Sequence, residues 1–251
     1  MLAPAKLTLS LRVVGVRPDG FHLLDAEMVT LSLADVVEVE PGLGLEVTGP
    51  KAGGVPVDES NLACRALAAC GRTGRVRVEK HVPAGAGLGG GSADAAAVLR
   101  WAGCTDLAVA ASVGADVPFC LVGGRARVRG TGEAVEPLPF EDRVFTLLIP
   151  PAAVATAAVY KAWDDLGGPT GEGGNDLEPA ALAVAPELAR WRDRLGNATG
   201  VEPRLAGSGS SWFVEGEFPG PDHLVVRTVR AREGPARTEQ QAAPPRAAPS
   251  S

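Results

Sequence analysis

The chain has 251 residues, 45% of them hydrophobic, and a formal net charge of −6. Its length suits one large domain or two small domains that share a core. The negative charge argues against nonspecific binding of nucleic acid, and no basic cluster with interleaved aromatic residues occurs in the sequence. No apolar run reaches the length of a membrane span, and the N-terminus lacks the basic-then-apolar pattern of a signal peptide. We therefore expect a cytoplasmic protein with no membrane or nucleic-acid partner.

The cysteines predict neither a zinc site nor a disulfide framework. They show no Cys-x-x-Cys spacing, and no paired histidines accompany them. Such cysteines are typical of reduced and mostly buried thiols. The residues concerned are Cys64, Cys70, Cys104 and Cys120.

In chain order, the predicted elements mix strands with helices. Alternating hydrophobicity predicts strands over residues 6–14, 36–47 and 75–79. Helices are predicted over residues 58–70, with Ser60 or Asn61 as the cap, and over residues 92–101. Later come a short apolar segment at 106–112, strands at 144–149 and 224–229, helices at 156–166 and 177–195 with a break near Pro186, and a glycine turn within 205–214. This irregular order favours an α+β fold over a doubly wound sheet.

Residues 82–98 are the most informative stretch of the chain. Five glycines (Gly85, Gly87, Gly89, Gly90 and Gly91) lead into Ser92 and an alanine-rich segment that is predicted to be helical. Glycines allow positive φ angles and a close approach of the backbone to a ligand. The first turn of a helix offers unpaired N–H groups at the positive end of the helix dipole. Together these features predict an anion site suited to the phosphates of a nucleotide.

Other interpretations of the glycine loop fit less well. The spacing Gly85-x-Gly87-x-x-Gly90 formally matches the dinucleotide fingerprint, which is weak when it stands alone. Pro83 interrupts the path from the preceding strand, and Asp106 does not follow a clear second strand. A Walker A loop requires a Gly-Lys-Ser/Thr ending, and no lysine follows these glycines. A flexible turn is disfavoured because a helix begins directly after the loop.

The loop and its flanks, Pro-Ala-Gly-Ala-Gly-Leu-Gly-Gly-Gly-Ser-Ala-Asp-Ala-Ala, resemble the phosphate-binding motif of the GHMP small-molecule kinases. Six further segments occur in the order found in that superfamily's kinases of 4-diphosphocytidyl-2-C-methyl-D-erythritol. They are Ala3-Pro-Ala-Lys-Leu-Thr-Leu, Arg17-Pro-Asp-Gly-Phe-His-Leu-Leu, Gly114-Ala-Asp-Val-Pro-Phe, Gly130-Thr-Gly-Glu, Asn175-Asp-Leu-Glu-Pro and Ala206-Gly-Ser-Gly-Ser-Ser.

This resemblance implies a two-domain α+β GHMP kinase fold with the active site in the interdomain cleft. The N-terminal, ATP-binding domain, similar to ribosomal protein S5 domain 2, would cover residues 1–150, ending at the Pro150-Pro151 pair. The α+β C-terminal domain would cover residues 151–229. Residues 230–251 are rich in Pro, Ala, Arg and Gln and lack an apolar pattern, which predicts a disordered tail.

The resemblance also implies the reaction, an ATP- and Mg²⁺-dependent transfer of phosphate to the 2-hydroxyl of 4-diphosphocytidyl-2-C-methyl-D-erythritol, a step of the non-mevalonate isoprenoid pathway. Asp116 matches the family's catalytic aspartate, which would orient and deprotonate the hydroxyl. Lys6 matches the lysine expected to pair with that aspartate near the transferring phosphate. Lysine is scarce in this arginine-rich chain, which favours a need for a compact ammonium at this position.

The resemblance further implies which residues contact ATP. Ser92 is predicted to reach Mg²⁺ or a phosphate, to cap the helix, or to do both. Asp94 is interpreted as a structural carboxylate in the first helical turn, where it suits the helix dipole. The residues assigned to ATP are Asn61, Lys80, Pro83, Gly85, Gly87, Leu88, Gly89, Gly90, Gly91 and Ser92.

For the second substrate, Phe21 is expected to stack on the cytosine base while His22 bonds its polar edge. Thr8, Asp116 and Thr156 match other positions near the substrate. The family usually has asparagine where this chain has Thr8, and tyrosine where it has Phe21. The segment at Gly207–Ser210 resembles the superfamily's third motif, a glycine turn that closes over the active site, whereas the Asn175 motif also suits a helix start.

Two alternatives remain open from the sequence alone. One is a GHMP paralogue that phosphorylates another small alcohol, which Thr8 and a short segment between Trp101 and Gly114 would favour. The other is a catalytically silent nucleotide-binding homologue, against which the intact Lys6 and Asp116 count. The expected partner is a small molecule, and the protein is expected to be a monomer or a homodimer.

Overall fold

The computed structural model describes residues 1–151 and 153–231, so most of the predicted tail lies outside the described residues. Within the described part, ten strands form two sheets, and seven helices connect and cover them. This is the α+β architecture that the order of elements predicts.

The first sheet has six strands and is built around one long strand. Its members are β1 (Leu2–Val16), β2 (His22–Glu40), β3 (Gly44–Thr48), β4 (Arg75–Glu79), β5 (Arg125–Gly130) and β6 (Ala134–Pro137). The order is β3-β4-β2-β5-β6, and β1 pairs antiparallel with β2. The strand β2 is long enough to pair with β5 over its first half and with β4 over its last residues.

The second sheet has four antiparallel strands in the order β10-β7-β9-β8. They are β7 (Val144–Leu148), β8 (Arg204–Leu205), β9 (Trp212–Glu215) and β10 (His223–Arg227). The strand β7 precedes the predicted boundary at residue 150 and already pairs within this sheet. The division of the chain at that residue stays a prediction.

The seven helices of the described part contain at most 12 residues each, and none of them is long and apolar enough to cross a membrane. They are α1 (Leu62–Ala69), α2 (Gly90–Trp101), α3 (Leu107–Val113), α4 (Val117–Val122), α5 (Thr156–Asp165), α6 (Glu178–Val184) and α7 (Leu188–Thr199). The break predicted near Pro186 is confirmed, since α6 ends before it and α7 begins after it.

The prediction of one strand over residues 36–47 is wrong. The strand β2 ends at Glu40, and β3 begins at Gly44 after a short turn. Pro41 has no N–H to donate to a strand ladder, and Gly42 adopts φ +128°, so the extended pairing stops there. The first half of β2 was not predicted, and neither were α4, β5 and β6.

The alternation of β1 positions the first functional side chain. Ala5, Leu7 and Leu9 are buried in a core shared with β7, β9 and the glycine loop. Because successive side chains of a strand point to opposite faces, Lys6 and Thr8 lie on the other face. The chain therefore uses one face of β1 for packing and offers the other to the site.

Candidate active site

Lys6 and Asp116 lie side by side at the centre of the candidate site. The Lys6 ammonium is 3.4 Å from Asp116 Oδ2. Lys6 is 5% exposed, whereas the Asp116 side chain is 34% exposed. Asp116 precedes α4, which begins with Val117 and Pro118. The ion pair thus joins β1 to the start of α4 and leaves the carboxylate open to a ligand.

Thr8 holds the ammonium of Lys6 in place. Lys6 Nζ donates a hydrogen bond to Thr8 Oγ1 over 3.1 Å, and both residues are buried. A threonine at this position therefore has a defined partner inside the protein. Its predicted contact with substrate stays a prediction.

The glycine loop begins a helix two residues earlier than predicted. Gly89, with φ +65°, is the N-cap of α2, and Ala93 N–H makes a hydrogen bond to Gly89 O. Ser92 is therefore inside the first turn, and its predicted role as cap is wrong. Asp94 lies in the second turn rather than the first. The N–H groups of Gly90, Gly91 and Ser92 have no acceptor within the helix, as expected for a first turn that binds anions.

Two glycines allow the loop to pack against Lys6 and the second glycine turn. A Cβ on Gly89 would lie 2.7 Å from Lys6 Cγ. A Cβ on Gly87, which has φ +76°, would lie 2.2 Å from the carbonyl oxygen of Ala206. Lys6 N–H also donates to Leu88 O over 2.9 Å. The loop therefore needs glycine at these two positions because another backbone or side chain occupies the space.

The second glycine turn reaches the same centre. A Cβ on Gly207 would lie 3.4 Å from Lys6 Nζ. Asn175 holds this turn, since its buried amide donates to the carbonyls of Leu205 and Gly207 over 3.0 and 2.7 Å. Its oxygen accepts the N–H of Leu177 just before α6, as a helix-start residue would. The Asn175 motif thus serves the helix and the glycine turn together.

Thr156, the first residue of α5, lies beside this turn. Its hydroxyl is 3.0 Å from the Ser208 hydroxyl. A Cβ on Gly85 would lie 2.7 Å from Ala153 Cβ, so the loop at residue 85 lies against the segment that leads into α5. These contacts bring Thr156 to the edge of the candidate site, and its contact with substrate stays a prediction.

The structure places Lys80 in a buried cluster of charged side chains. Its side chain is 2% exposed, and its ammonium is paired with Asp35 and, over 2.7 Å, with Asp94. Asp35 also accepts the N–H groups of His81 and Val82 over 2.5 and 2.8 Å. This cluster joins β2, the end of β4 and α2 behind the glycine loop. A contact of Lys80 with ATP stays a prediction.

Two other residues predicted to contact ATP, Asn61 and Leu88, have side chains that are engaged within the protein. Asn61 caps α1, as the sequence predicts, by accepting Ala63 N–H over 2.9 Å, and it donates to Pro56 O over 2.8 Å. The Leu88 side chain is buried in the core, so only its backbone belongs to the loop surface. Pro83 is half-buried where the chain enters the loop. Contacts of these residues with ATP stay predictions.

His22, the first residue of β2, contacts three residues of α5. Its Nε2 is 2.8 Å from Asp164 Oδ1. Its ring centroid lies 4.7 Å from that of Tyr160 and 5.5 Å from that of Trp163. Phe21 points elsewhere: it is 62% exposed and lies beneath the Arg17 guanidinium. The side chains of Phe21 and His22 therefore do not lie together as predicted, because the rings that pack on His22 belong to α5.

Tyr160, Trp163 and Asp164 were not predicted as site residues. Their spacing of i, i+3 and i+4 places them on one face of α5, which is the signal that could have indicated a shared contact. Burial and the nearby carboxylate of Asp116 raise the pKa of Tyr160 well above its usual value. Tyr160 therefore packs on His22 and also lies within the electrostatic influence of Asp116.

The arrangement combines three chemical capacities in one site. The first turn of α2 has the N–H groups that suit an anion, the Lys6–Asp116 pair offers an ammonium beside a carboxylate, and the rings around His22 offer a surface for a planar group. Among the described residues, no group of three or more His, Cys, Asp or Glu side chains could hold a metal ion by itself.

The comparisons with known proteins agree with this geometry. Residues 61–124, which contain the glycine loop and Asp116, match the family model of the GHMP kinases N terminal domain. The chain is 42% identical over 241 residues to a 4-diphosphocytidyl-2-C-methyl-D-erythritol kinase of Cereibacter sphaeroides (strain ATCC 17029 / ATH 2.4.9), covering 84% of this chain and 87% of the relative.

Solved structures show the same fold. The crystal structure of a 4-(cytidine 5'-diphospho)-2C-methyl-D-erythritol kinase superposes with a TM-score of 0.70 at 35% identity, covering 90% of this chain and 98% of that one. A homoserine kinase from Cytophaga hutchinsonii has a TM-score of 0.55 at 18% identity, covering 92% and 96%, and so shares the fold. The predicted GHMP kinase fold is confirmed, and the chain belongs to the 4-diphosphocytidyl-2-C-methyl-D-erythritol kinase family of the GHMP kinases.

Proposed function

We propose that this chain transfers the γ-phosphoryl group of ATP to the 2-hydroxyl of 4-diphosphocytidyl-2-C-methyl-D-erythritol, a step in the non-mevalonate route to isoprenoid precursors. Relatives of that name are about 40% identical over most of the chain. The observation within the site that carries the proposal is the Lys6–Asp116 pair, 3.4 Å apart and directly beside the phosphate-binding loop.

Asp116 is the group we assign to the hydroxyl of the substrate. Its carboxylate is partly exposed and can accept the hydroxyl proton as the oxygen attacks phosphorus. Lys6 keeps that carboxylate oriented and presents a positive charge where negative charge spreads in the transition state. Thr8 and the two glycine turns fix the ammonium, so little reorganisation is required during the reaction.

ATP is assigned to the loop because the N–H groups in the first turn of α2 have no acceptor within the helix and lie at the positive end of its dipole. We assign the phosphates to the N–H groups of Gly90, Gly91 and Ser92. Mg²⁺ would neutralise phosphate charge, and it usually binds through one or two protein oxygens together with substrate phosphates. Ser92, half-buried in the first turn, is the side chain we assign to it.

The cytidine part of the substrate is assigned to the surface around His22 and Tyr160. Tyr160 packs on the His22 ring, and the Asp116 carboxylate is close enough to contribute to the raised pKa of Tyr160, so we place the base near these rings and the reacting hydroxyl at Asp116. Thr156 lies at the edge of the same region. Phe21, exposed beside Arg17, is assigned to the entrance of the site.

The test is ADP release from ATP and Mg²⁺ by the purified chain, with and without the cytidine substrate. We expect substrate-dependent turnover, and we expect Asp116→Asn to lower kcat by about 10²–10⁴-fold while ATP still binds. An Asp193→Asn variant is the matched control, since Asp193 is an exposed residue of α7 that pairs with Arg192.

The outcomes separate the alternatives. Turnover on another small alcohol, but not on this one, would indicate a GHMP paralogue. Binding of ATP without turnover on any alcohol would indicate a silent homologue.

We further propose that the protein works in the cytoplasm, where ATP is available and its free cysteines stay reduced. We also propose that it is a monomer or a homodimer, which a sedimentation measurement would decide.

A further inference from the structure

His22 is held by one face of α5 through three different contacts. Tyr160 packs against its ring at a tilt of 34°, Trp163 contacts it edge-on at 84°, and Asp164 lies 2.8 Å from Nε2. The His22 side chain is only 10% exposed, whereas the Asp164 side chain is 49% exposed. The ring is therefore fixed in position, and its one hydrogen bond to the protein among the described residues goes to Asp164.

The carboxylate decides which ring nitrogen carries the proton. An ionised carboxylate only accepts hydrogen bonds, so Nε2 must be the donor in this contact. In the neutral ring, Nδ1 is then the acceptor. Among the residues that the structure describes, nothing bonds Nδ1, which leaves it available to a ligand.

We propose that Asp164 is a positioning residue that keeps the His22 proton on Nε2, so that Nδ1 accepts a hydrogen bond from an exocyclic amino group and the site selects a cytosine over a uracil base. Cytosine carries a donor amino group at its 4-position, whereas uracil carries a carbonyl oxygen there. A uracil would therefore place one acceptor against another. The inference rests on the proposed function, because it assumes that the base lies beside His22.

The proton position can be measured without substrate. The chain has three histidines, so long-range ¹H–¹⁵N correlation spectra are simple, and a His22→Gln variant identifies the His22 signals. We expect the Nε2–H form in the wild-type protein. In Asp164→Ala we expect a shift toward the Nδ1–H form, since the acceptor that fixed the proton is gone. Wild-type spectra showing the Nδ1–H form would overturn the proposal.

Kinetics test the selectivity. In Asp164→Ala we expect KM for the cytidine substrate to rise about tenfold, which corresponds to the loss of about one hydrogen bond. We expect kcat, and KM for ATP, to change less than about twofold. The preference for the cytidine substrate over its uridine analogue should fall by about the same factor. The control is Asp165→Ala, because Asp165 is the next residue of α5 and pairs with Lys161, away from His22.

Either of two kinetic results contradicts the proposal: an unchanged cytidine preference in Asp164→Ala, or an equal loss in Asp165→Ala. If the wild-type chain turns over neither substrate, the proposed function fails. The spectra then still decide whether Asp164 sets the proton of His22. The two failures are thus distinguishable.

Discussion

The ammonium of Lys6 lies among a carboxylate, a hydroxyl and two glycine turns, so its charge and its stem have separate roles. Replacing Lys6 by methionine keeps much of the stem beside Gly89 and removes the charge. We expect kcat to fall by about 10²–10³-fold, the usual cost of losing one preorganised donor in a phosphoryl or acyl transfer site. The Kd for ATP, measured by calorimetry, should change far less, because the first turn of α2 remains.

The Lys6→Met variant needs a folding control, which its thermal midpoint supplies. A variant that keeps more than half of the wild-type kcat with an unchanged midpoint would contradict the role of the charge. Arginine is not a conservative substitute here. Its guanidinium is larger and planar, and Gly89 already lies against the lysine stem.

The raised pKa of Asp94 predicts that the stability of the folded protein falls as the pH rises toward 7. Burial raises its pKa to about 7, with the Lys80 ammonium acting in the opposite direction. The folded protein therefore binds this proton more tightly than the unfolded chain, whose aspartate titrates near pH 4. The contribution of Asp94 to the free energy of unfolding is therefore complete below about pH 4 and is lost as the pH rises through about 7.

An Asp94→Asn variant removes this dependence. Relative to the wild-type protein, its free energy of unfolding should increase between pH 5 and pH 8, as measured by urea unfolding at each pH. Asp193→Asn, at an exposed position of α7, is the control and should show no such trend. A difference between Asp94→Asn and wild type that is the same at both pH values would contradict the prediction.

At the scale of elements, the glycine loop and the second glycine turn act as one unit. Gly87 contributes a positive φ and also the space that the Ala206 carbonyl occupies. In Gly87→Ala, the left-handed backbone costs about 1–2 kcal/mol, and the methyl group additionally displaces the second turn. We expect KM for ATP to rise at least about tenfold.

A matched variant separates backbone strain from displacement. Gly167 has φ +78°, nearly the value at Gly87, but a Cβ there meets nothing within 4 Å. Gly167→Ala should lower the thermal midpoint through strain and leave KM for ATP unchanged. If Gly87→Ala and Gly167→Ala behave alike in both measurements, the contact between the two turns has no role in ATP binding.

The parts of the site that were predicted from the sequence are local. The glycine loop, the helix after it and the Asn61 cap depend on neighbouring residues, so motif and spacing are sufficient to predict them. The enclosure of Lys80 depends instead on Asp35, which is 45 residues away. The contact of His22 with Asp164 spans 142 residues. Side-chain partners at such distances follow from the tertiary fold, and no local pattern records them.

At the scale of the molecule, the candidate active site depends on contacts that join the first sheet to the second half of the chain. Asp176 is buried, and it accepts hydrogen bonds from Arg12 over 2.6 Å and from Val13 N–H over 3.0 Å. The backbones of Leu11 and Asn175 form a bridge beside it, and Leu31 of β2 bridges to Thr228 after β10. Because Asn175 also holds the turn at Gly207, these contacts connect the fold of the second half to the position of Lys6.

These contacts predict that the residues before and after position 150 unfold in one cooperative transition. In urea, tryptophan fluorescence, which comes mainly from Trp163, Trp191 and Trp212 in the second half, should coincide with far-UV circular dichroism of the whole chain. Asp176→Ala removes the link to β1 and should lower stability by about 1–3 kcal/mol, because it leaves buried N–H groups without an acceptor. Asp165→Ala breaks only an exposed pair on α5 and should leave the midpoint unchanged. Two separate transitions in the wild-type protein would show instead that each half folds alone, and the site would then form only when they dock.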